Sequence, residues 1–199
     1  MGFIEGTKIL CMVNGNEVYV PIEELTHGNL VKTLKSGVKR IEMIGWTTLR
    51  TGEEGTKDKI YIYTKDSLPE VTDDLVITGG HYRLVDSLTP EQNQQTVPLS
   101  GQHSLTEGKD RLMACIDPRA KESSEEAIYT VWQVVLENIN RFKNYGIYAN
   151  GLLVESTSKD SFSKDATMNV VRNTGPPIHA EFANRILGTI NSNKLNRFN

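Results

Sequence analysis

Residues 7–20 read TKILCMVNGNEVYV, and this stretch indicates the fold class. Two runs that favour extended backbone, Thr7–Val13 and Glu17–Val20, stand on either side of Asn14-Gly15-Asn16. Asn and Gly tolerate the positive φ angles that a tight hairpin turn requires. The stretch therefore predicts an antiparallel β-hairpin near the start of the chain.

Short runs of β-favouring residues continue along most of the sequence. We expect further strands at Leu30–Leu34, Val38–Thr47, Lys59–Lys65, Leu75–Thr78, Tyr82–Val85, Arg111–Ile116, Ile128–Leu136, Tyr145–Ala149 and Leu152–Val154. The polar stretches Leu88–Lys109 and Thr157–Asp165 are predicted to be loops. Short strands at this spacing favour an all-β domain, such as a sandwich or a barrel.

The pattern changes after Ser156. Apolar residues recur at helical spacing over 178–191, after the helix-opening triplet Gly175-Pro176-Pro177. We expect an amphipathic helix there, either packed on the β domain or presenting its apolar stripe to another chain. The predicted organisation is a β domain over 1–156 and a C-terminal extension over 157–199.

Composition excludes several classes of function. The chain has 199 residues and a formal net charge of −3, so it lacks the basic surface expected for nucleic acid or an anionic membrane. It has no apolar run long enough to span a bilayer and no signal-peptide pattern. Its two cysteines, Cys11 and Cys115, lie in apolar runs and are expected to be buried thiols. We predict no metal, no cofactor, no nucleic acid and no membrane partner.

Three blocks of sequence carry a resemblance to a known family. They are Gly2-Phe3 with Gly6-Thr7, Val20–Leu25 and Gly28–Thr33; then Thr78-Gly79-Gly80-His81; and finally Tyr148–Val154. In this order and spacing they resemble the self-processing domains of the Hedgehog/intein (Hint) family, in particular those of large DNA viruses. The resemblance spans Gly2 to Ser156 and implies a Hint-type fold of many short strands.

The resemblance also implies a reaction. In that family a cysteine attacks the carbonyl of the preceding peptide bond, an N-to-S acyl shift, and the thioester is then released. It implies that His81 protonates the leaving amide nitrogen as a general acid and that Thr78 orients the bond. The implied partner is an upstream polypeptide in cis. The alternative, in which His81 only satisfies backbone groups in a turn, stays open.

The sequence departs from the family at the nucleophile. Phe3 matches the family's phenylalanine, so Gly2 stands where the catalytic cysteine belongs, and we expect no processing as the chain is written. Cys11 is no obvious substitute, because nine residues of extended chain reach about 30 Å. Either the nucleophile of a processing domain has been replaced and its upstream partner removed, or the chain is a degenerate Hint fold that serves as a structural or binding module, for example in a virus.

Further departures exclude related reactions. Glu155 and Ser156 occupy the positions at which splicing inteins carry His-Asn, so splicing is not predicted. The stretch Met43–Trp46 offers no acid for activating a sterol, so sterol transfer is not predicted either. The resemblance therefore points to cleavage on the N-terminal side alone.

Overall fold

The computed structural model describes residues 1–51, 55, 57–100 and 104–171, which form mostly antiparallel β-sheet. The described strands are β1 Phe3–Ile4, β2 Lys8–Val13, β3 Asn16–Pro21, β4 Leu30–Lys32, β5 Val38–Arg50, β6 Ile60–Tyr63, β7 Leu75–Thr78, β8 Tyr82–Val85, β9 Leu105–Thr106, β10 Lys109–Met113, β11 Lys121–Glu122, β12 Ile128–Leu136, β13 Gly146–Ala149, β14 Leu152–Glu155 and β15 Asn169–Val170. The helices are α1 Pro90–Ser100, α2 Lys159–Lys164 and a 3₁₀ turn, Ile22–Glu24. The predicted all-β class is confirmed, and the predicted helix at 178–191 lies outside the described residues.

The long strand β5 joins two halves of the sheet. Its first residues, Val38–Arg40, pair with β4, and the rest of the strand, from Ile41, pairs with β12. Beyond β12 the order is β1, β7, β6, β11, and beyond β4 it is β2, β13, β14, β8, β10, β9. Both halves contribute to one cluster of buried apolar side chains, for example Phe3 and Trp132 from one half and Ile9 and Ile147 from the other. A sheet of this size must curl, which encloses that core.

The predicted hairpin is confirmed. Strands β2 and β3 pair with Val13 opposite Asn16, and the turn between them has positive φ at Asn14 (49°) and Gly15 (79°). Such a turn follows the right-handed twist of the two strands. The predicted strands Leu75–Thr78 and Tyr82–Val85 also have the predicted bounds.

The prediction that Leu88–Lys109 is a loop was wrong, because this stretch holds α1 and β9. A capping box starts the helix: the Gln92 N–H donates to Thr89 Oγ1 (3.3 Å) and the Thr89 N–H donates to Gln92 Oε1 (2.9 Å). Pro90 occupies the first helical position, where its missing N–H has no consequence. This start signal was present in the sequence within an otherwise loop-like composition.

The prediction that Thr157–Asp165 is a loop was also wrong. Ser158 caps α2, because its Oγ accepts the Ser161 N–H at 3.2 Å. The helix is anchored by Phe162, which is 2% exposed and packs on β5 at Gly45, where a Cβ would lie 3.0 Å from the ring. Strand β15 then pairs with β5. The described part of the extension is therefore packed on the sheet.

We expect Phe162→Ala to lower the free energy of unfolding by about 3–5 kcal/mol, because it empties a buried aromatic site. Urea denaturation followed by circular dichroism measures the change. The matched control is Ser163→Ala, which alters the exposed neighbouring residue of the same helix and should change stability little. A loss below about 1 kcal/mol for Phe162→Ala would show that α2 is not part of the core.

Candidate functional site

The turn Thr78-Gly79-Gly80-His81 carries the chain from β7 in one half of the sheet to β8 in the other. The His81 N–H donates to the Thr78 carbonyl at 2.9 Å, which closes the turn. The Gly79 and Gly80 N–H groups donate to the carbonyls of Lys59 (2.8 Å) and Lys57 (2.7 Å). Because each of these donors is paired, the turn is held in one conformation.

Gly2 is fixed against this turn by two hydrogen bonds. Its N–H donates to Thr78 Oγ1 at 3.0 Å, and its carbonyl accepts the Thr78 N–H at 3.2 Å. The next residue, Phe3, is fully buried in β1, between Ile77 of β7 and Trp132 of β12. The structure thus brings Gly2 and Thr78, two of the three predicted site residues, into direct contact.

His81, the third predicted residue, lies beside them. Its ring centroid is 4.3 Å from that of Phe3, and the side chain is almost wholly buried. Within the described part of the chain its Nε2 has no hydrogen-bond partner. Since an unpaired buried polar atom destabilises a fold, such atoms are uncommon and are often found at functional sites.

Burial also sets the charge of His81. Desolvation lowers the pKa of the imidazole from 6.5 to about 3, although a hydrogen bond to the backbone of Glu155 favours the protonated ring. The ring is therefore neutral at neutral pH. A neutral imidazole cannot begin a reaction as a strong proton donor, but it can accept a proton and pass it on.

Gly2 has no room for a side chain. A Cβ built on it would lie 2.4 Å from Val131 Cγ1 and 2.6 Å from the Trp132 carbonyl oxygen. Ordinary carbon contacts lie near 3.5–4.0 Å, so either the backbone or Val131 would have to move by about 1 Å. A cysteine cannot occupy position 2 in this arrangement of β1 and β12.

The cysteines of the chain do not supply a substitute nucleophile. Cys11 is fully buried in β2, and desolvation raises the pKa of its thiol to about 12, so it stays protonated. Cys115 was predicted to be buried but is only half-buried, because it follows the end of β10 in a turn. Burial raises the pKa of its thiol as well.

Asn150, in the third sequence block, has a structural role. Its side-chain Oδ1 accepts the Lys8 N–H at 2.7 Å, and its Nδ2 donates to the Asp74 carbonyl at 2.9 Å. Its φ of 46° places it in the turn between β13 and β14. Asn150 thereby ties β2 to the segment that leads into β7, and so helps to position Thr78.

Glu155 and Ser156 are also engaged in structure. The Glu155 carboxylate is 3% exposed, accepts a hydrogen bond from Thr106 and pairs with Arg111 Nη2 at 2.8 Å. Ser156 Oγ accepts the Tyr145 N–H at 2.9 Å. The Arg111–Glu155 ion pair next to His81 was not predicted from the sequence. The sequence signal for a buried acidic residue was Glu155, which directly follows the apolar run Leu152–Val154.

A cavity of about 200 Å³ opens beside Thr78, on the Met1 side of Gly2. Its lining includes Met1, Val131, Asp58 and Asp165. The cavity is therefore lined by the residue that precedes Gly2 and by the Thr78 that binds Gly2, and its wall carries two carboxylates.

The sequence matches neither a known protein-family model nor a curated protein. Among the described residues, no group of three or more His, Cys, Asp or Glu side chains is placed to hold a metal ion. No helix in that part of the chain is long and apolar enough to cross a membrane. The functional proposal therefore rests on the three blocks of sequence and on the geometry around Gly2, Thr78 and His81.

The low pKa of His81 predicts an acid-sensitive fold. Above pH 6.5 the ring is neutral in both states, but below it the unfolded chain takes up a proton that the folded chain does not until about pH 3. Stability should therefore fall by about 2 kcal/mol between pH 7 and pH 5 from this residue alone. Urea titrations at both pH values measure the free energy of unfolding, and His81→Gln should remove this part of its decrease.

The control is His27→Gln, which makes the same substitution at an exposed histidine. An unchanged pH dependence in His81→Gln would contradict a buried, neutral His81.

Proposed function

We propose that the chain is a Hint-type autoprocessing domain whose reaction, cleavage of the peptide bond before residue 2, is silent because residue 2 is glycine. The observation that carries the proposal is the hydrogen bond from the Gly2 amide to Thr78 Oγ1, 3.0 Å. That nitrogen is the leaving group of the proposed reaction. The reaction needs a hydrogen-bonding side chain that contacts this nitrogen. Thr78 makes that contact, and it stands in a fixed turn beside the buried His81.

The proposed step starts from a cysteine at position 2. Its sulfur attacks the carbonyl carbon of residue 1, the C–N bond breaks, and a thioester forms. The thiol loses one proton and the leaving amine gains one. A neutral His81 suits both transfers, because it can take the proton from the thiol and deliver it to the nitrogen. Thr78 orients that nitrogen through its hydrogen bond.

The surroundings of Gly2 also support the peptide bond between residues 1 and 2 as the reacting bond. An amide resists attack because of its planarity, so a processing site must hold the bond in a fixed position. Gly2 is held by β7 on one side and β12 on the other, and the adjoining cavity offers a route for the upstream polypeptide. The upstream polypeptide is the partner in cis that this function requires.

A second candidate function is a degenerate Hint fold that acts as a structural or binding module. It is favoured by the packing around Gly2, where Val131 and the Trp132 carbonyl occupy the space of a Cβ. A domain that uses a side chain at position 2 as its nucleophile would need that space. The two candidates predict different outcomes when a thiol is introduced.

We expect thiol-dependent cleavage once position 2 has both a nucleophile and room for it. The test is a reporter fused upstream of Gly2→Cys/Val131→Ala. Val131→Ala removes the nearer of the two contacts, and the second, with the Trp132 carbonyl oxygen at 2.6 Å, has to be relieved by a shift of β1 away from β12. Dithiothreitol should release the reporter by intercepting the thioester. In this background His81→Ala should slow release by about 10²–10⁴-fold, and Thr78→Val by less. Gel electrophoresis over time gives the rates.

The matched control is Gly2→Ala/Val131→Ala, which has the same steric change without a thiol and should stay intact, as should the Gly2 fusion. If the cysteine variant keeps the circular dichroism spectrum and thermal midpoint of this control but releases no reporter, the processing function is wrong and the module remains.

A further inference from the structure

The loop between β12 and β13 exposes two large apolar side chains. Ile139 is fully exposed and Phe142 is 68% exposed, and they lie three residues apart in residues 138–143, here called the tip loop. Single exposed apolar residues are normal on a protein surface, whereas two on one loop form a patch that is typical of an interaction site. No part of the chain that the structure describes covers this pair.

The tip loop is ordered by its own hydrogen bonds. The Asn140 N–H donates to Asn138 Oδ1 at 3.1 Å, and the Phe142 N–H donates to Asn140 Oδ1 at 3.0 Å. Helix α2 supports the loop, because the Asp160 N–H donates to the Arg141 carbonyl at 3.0 Å. Ile139 and Phe142 are therefore presented by a built loop, and binding would not have to order it.

The charges at the base of the tip loop are paired with one another. Three ion pairs lie there, Lys159–Glu42 (2.6 Å), Arg141–Asp160 (3.0 Å) and Arg40–Glu137 (3.9 Å). Because each of these basic groups stands beside a carboxylate, they give a charged partner little net attraction. An occupant of the tip loop must therefore bring an apolar surface of its own.

The described part of the chain ends on a course toward the tip loop. Strand β15 runs antiparallel to β5, and directly after it the Val171 N–H donates to the Ile44 carbonyl at 2.9 Å. This direction leads along β5 toward Arg40, whose carbonyl accepts the N–H of Glu137, the residue before the tip loop. Ile44 and Arg40 are four residues apart, so this distance along the strand is about 13 Å.

The sequence that follows Val171 supplies an apolar stripe within reach. The positions that form the stripe lie outside the described residues and fall at helical spacing, Ile178, Phe182, Ile186 and Ile190. Residues 172–177 connect the stripe to Val171, and six extended residues span about 20 Å. The connection is therefore long enough to bring the stripe to Ile139 and Phe142.

We propose that the tip loop is the docking site of the chain's own segment 178–190, whose apolar stripe covers Ile139 and Phe142. A large aromatic side chain buries about 150–250 Å², so the pair offers a few hundred Å² at most. A separate protein partner needs about 800 Å² on each side of a stable interface. A segment tethered by a short linker needs less, because its effective concentration is on the order of millimolar.

The proposal assigns the C-terminal stripe to this β domain and not to another chain. An isolated helix of this length is marginal in water, so helix formation in the segment and docking on the tip loop should occur together. The docking concerns the C-terminal extension and is independent of the processing function.

The test is amide hydrogen exchange of the full chain, followed by mass spectrometry of the peptides that cover residues 178–190. Exchange there should be slower by about tenfold or more in the parent chain than in Ile139→Ser/Phe142→Ser, because docking protects the amides of the segment. Since the contact is intramolecular, this protection should not depend on protein concentration.

The matched control is Leu105→Ser/Ile128→Ser, which removes two apolar side chains of similar exposure, 58% and 62%, with Ile128 at the opposite end of β12. The segment should exchange as slowly as in the parent chain. All four substituted side chains are exposed, so both variants should keep the circular dichroism spectrum of the parent chain. Equal exchange in the parent chain and the tip-loop variant would overturn the proposal. Protection that rises with protein concentration would assign the tip loop to a second copy of the chain and overturn it as well.

Discussion

The two hydrogen bonds between Gly2 and Thr78 fix the position of the first strand, β1, in the sheet. Strand β1 has only two residues, too few for strand pairing alone to hold it firmly. The Thr78 hydroxyl adds a side-chain hydrogen bond to the backbone pairing of β1 with β7 and β12. The wholly buried Phe3 then packs in the core beside His81. The same close fit brings position 2 against Trp132. The close packing that anchors β1 therefore also excludes a side chain at position 2.

The polar side chains of the three sequence blocks show how the fold constrains their chemistry. Thr78, Glu155 and Ser156 all have partners in the structure, so their capacity for hydrogen bonding is largely used. One nitrogen of His81 is left without a partner, in a place where burial keeps the ring neutral. A neutral ring with a free nitrogen can act as a proton carrier, whereas the general-acid role inferred from sequence needs the charged form first. Burial, which the sequence does not reveal, therefore bears on how the predicted general-acid role of His81 would operate: the ring would take up a proton before it donates one.

Local signals explain what the sequence predicted well. The bounds of β7 and β8 and the Asn14-Gly15 hairpin turn follow from residue types within a few positions. Helices α1 and α2 were missed although Thr89 and Ser158 were available as caps, because their surroundings are rich in polar and turn-favouring residues. The crowding at Gly2 could not be predicted, since it depends on Val131 and Trp132, more than a hundred residues away.

The packing at Gly2 bears on the proposal that a cysteine belongs at this position. Replacing a buried cysteine by glycine leaves a cavity, and a cavity of even one or two heavy atoms destabilises a core measurably. Protein interiors are close-packed, so later movement of β1 toward β12 would regain stability by closing the space. The contacts of Val131 and the Trp132 carbonyl with position 2 are those expected after such a closure. A recent, isolated substitution would instead leave room for the lost side chain. The closed packing therefore fits the glycine at position 2, and the Thr78 hydroxyl together with the backbone N–H of His81 holds the first strand and the turn in place without any nucleophile.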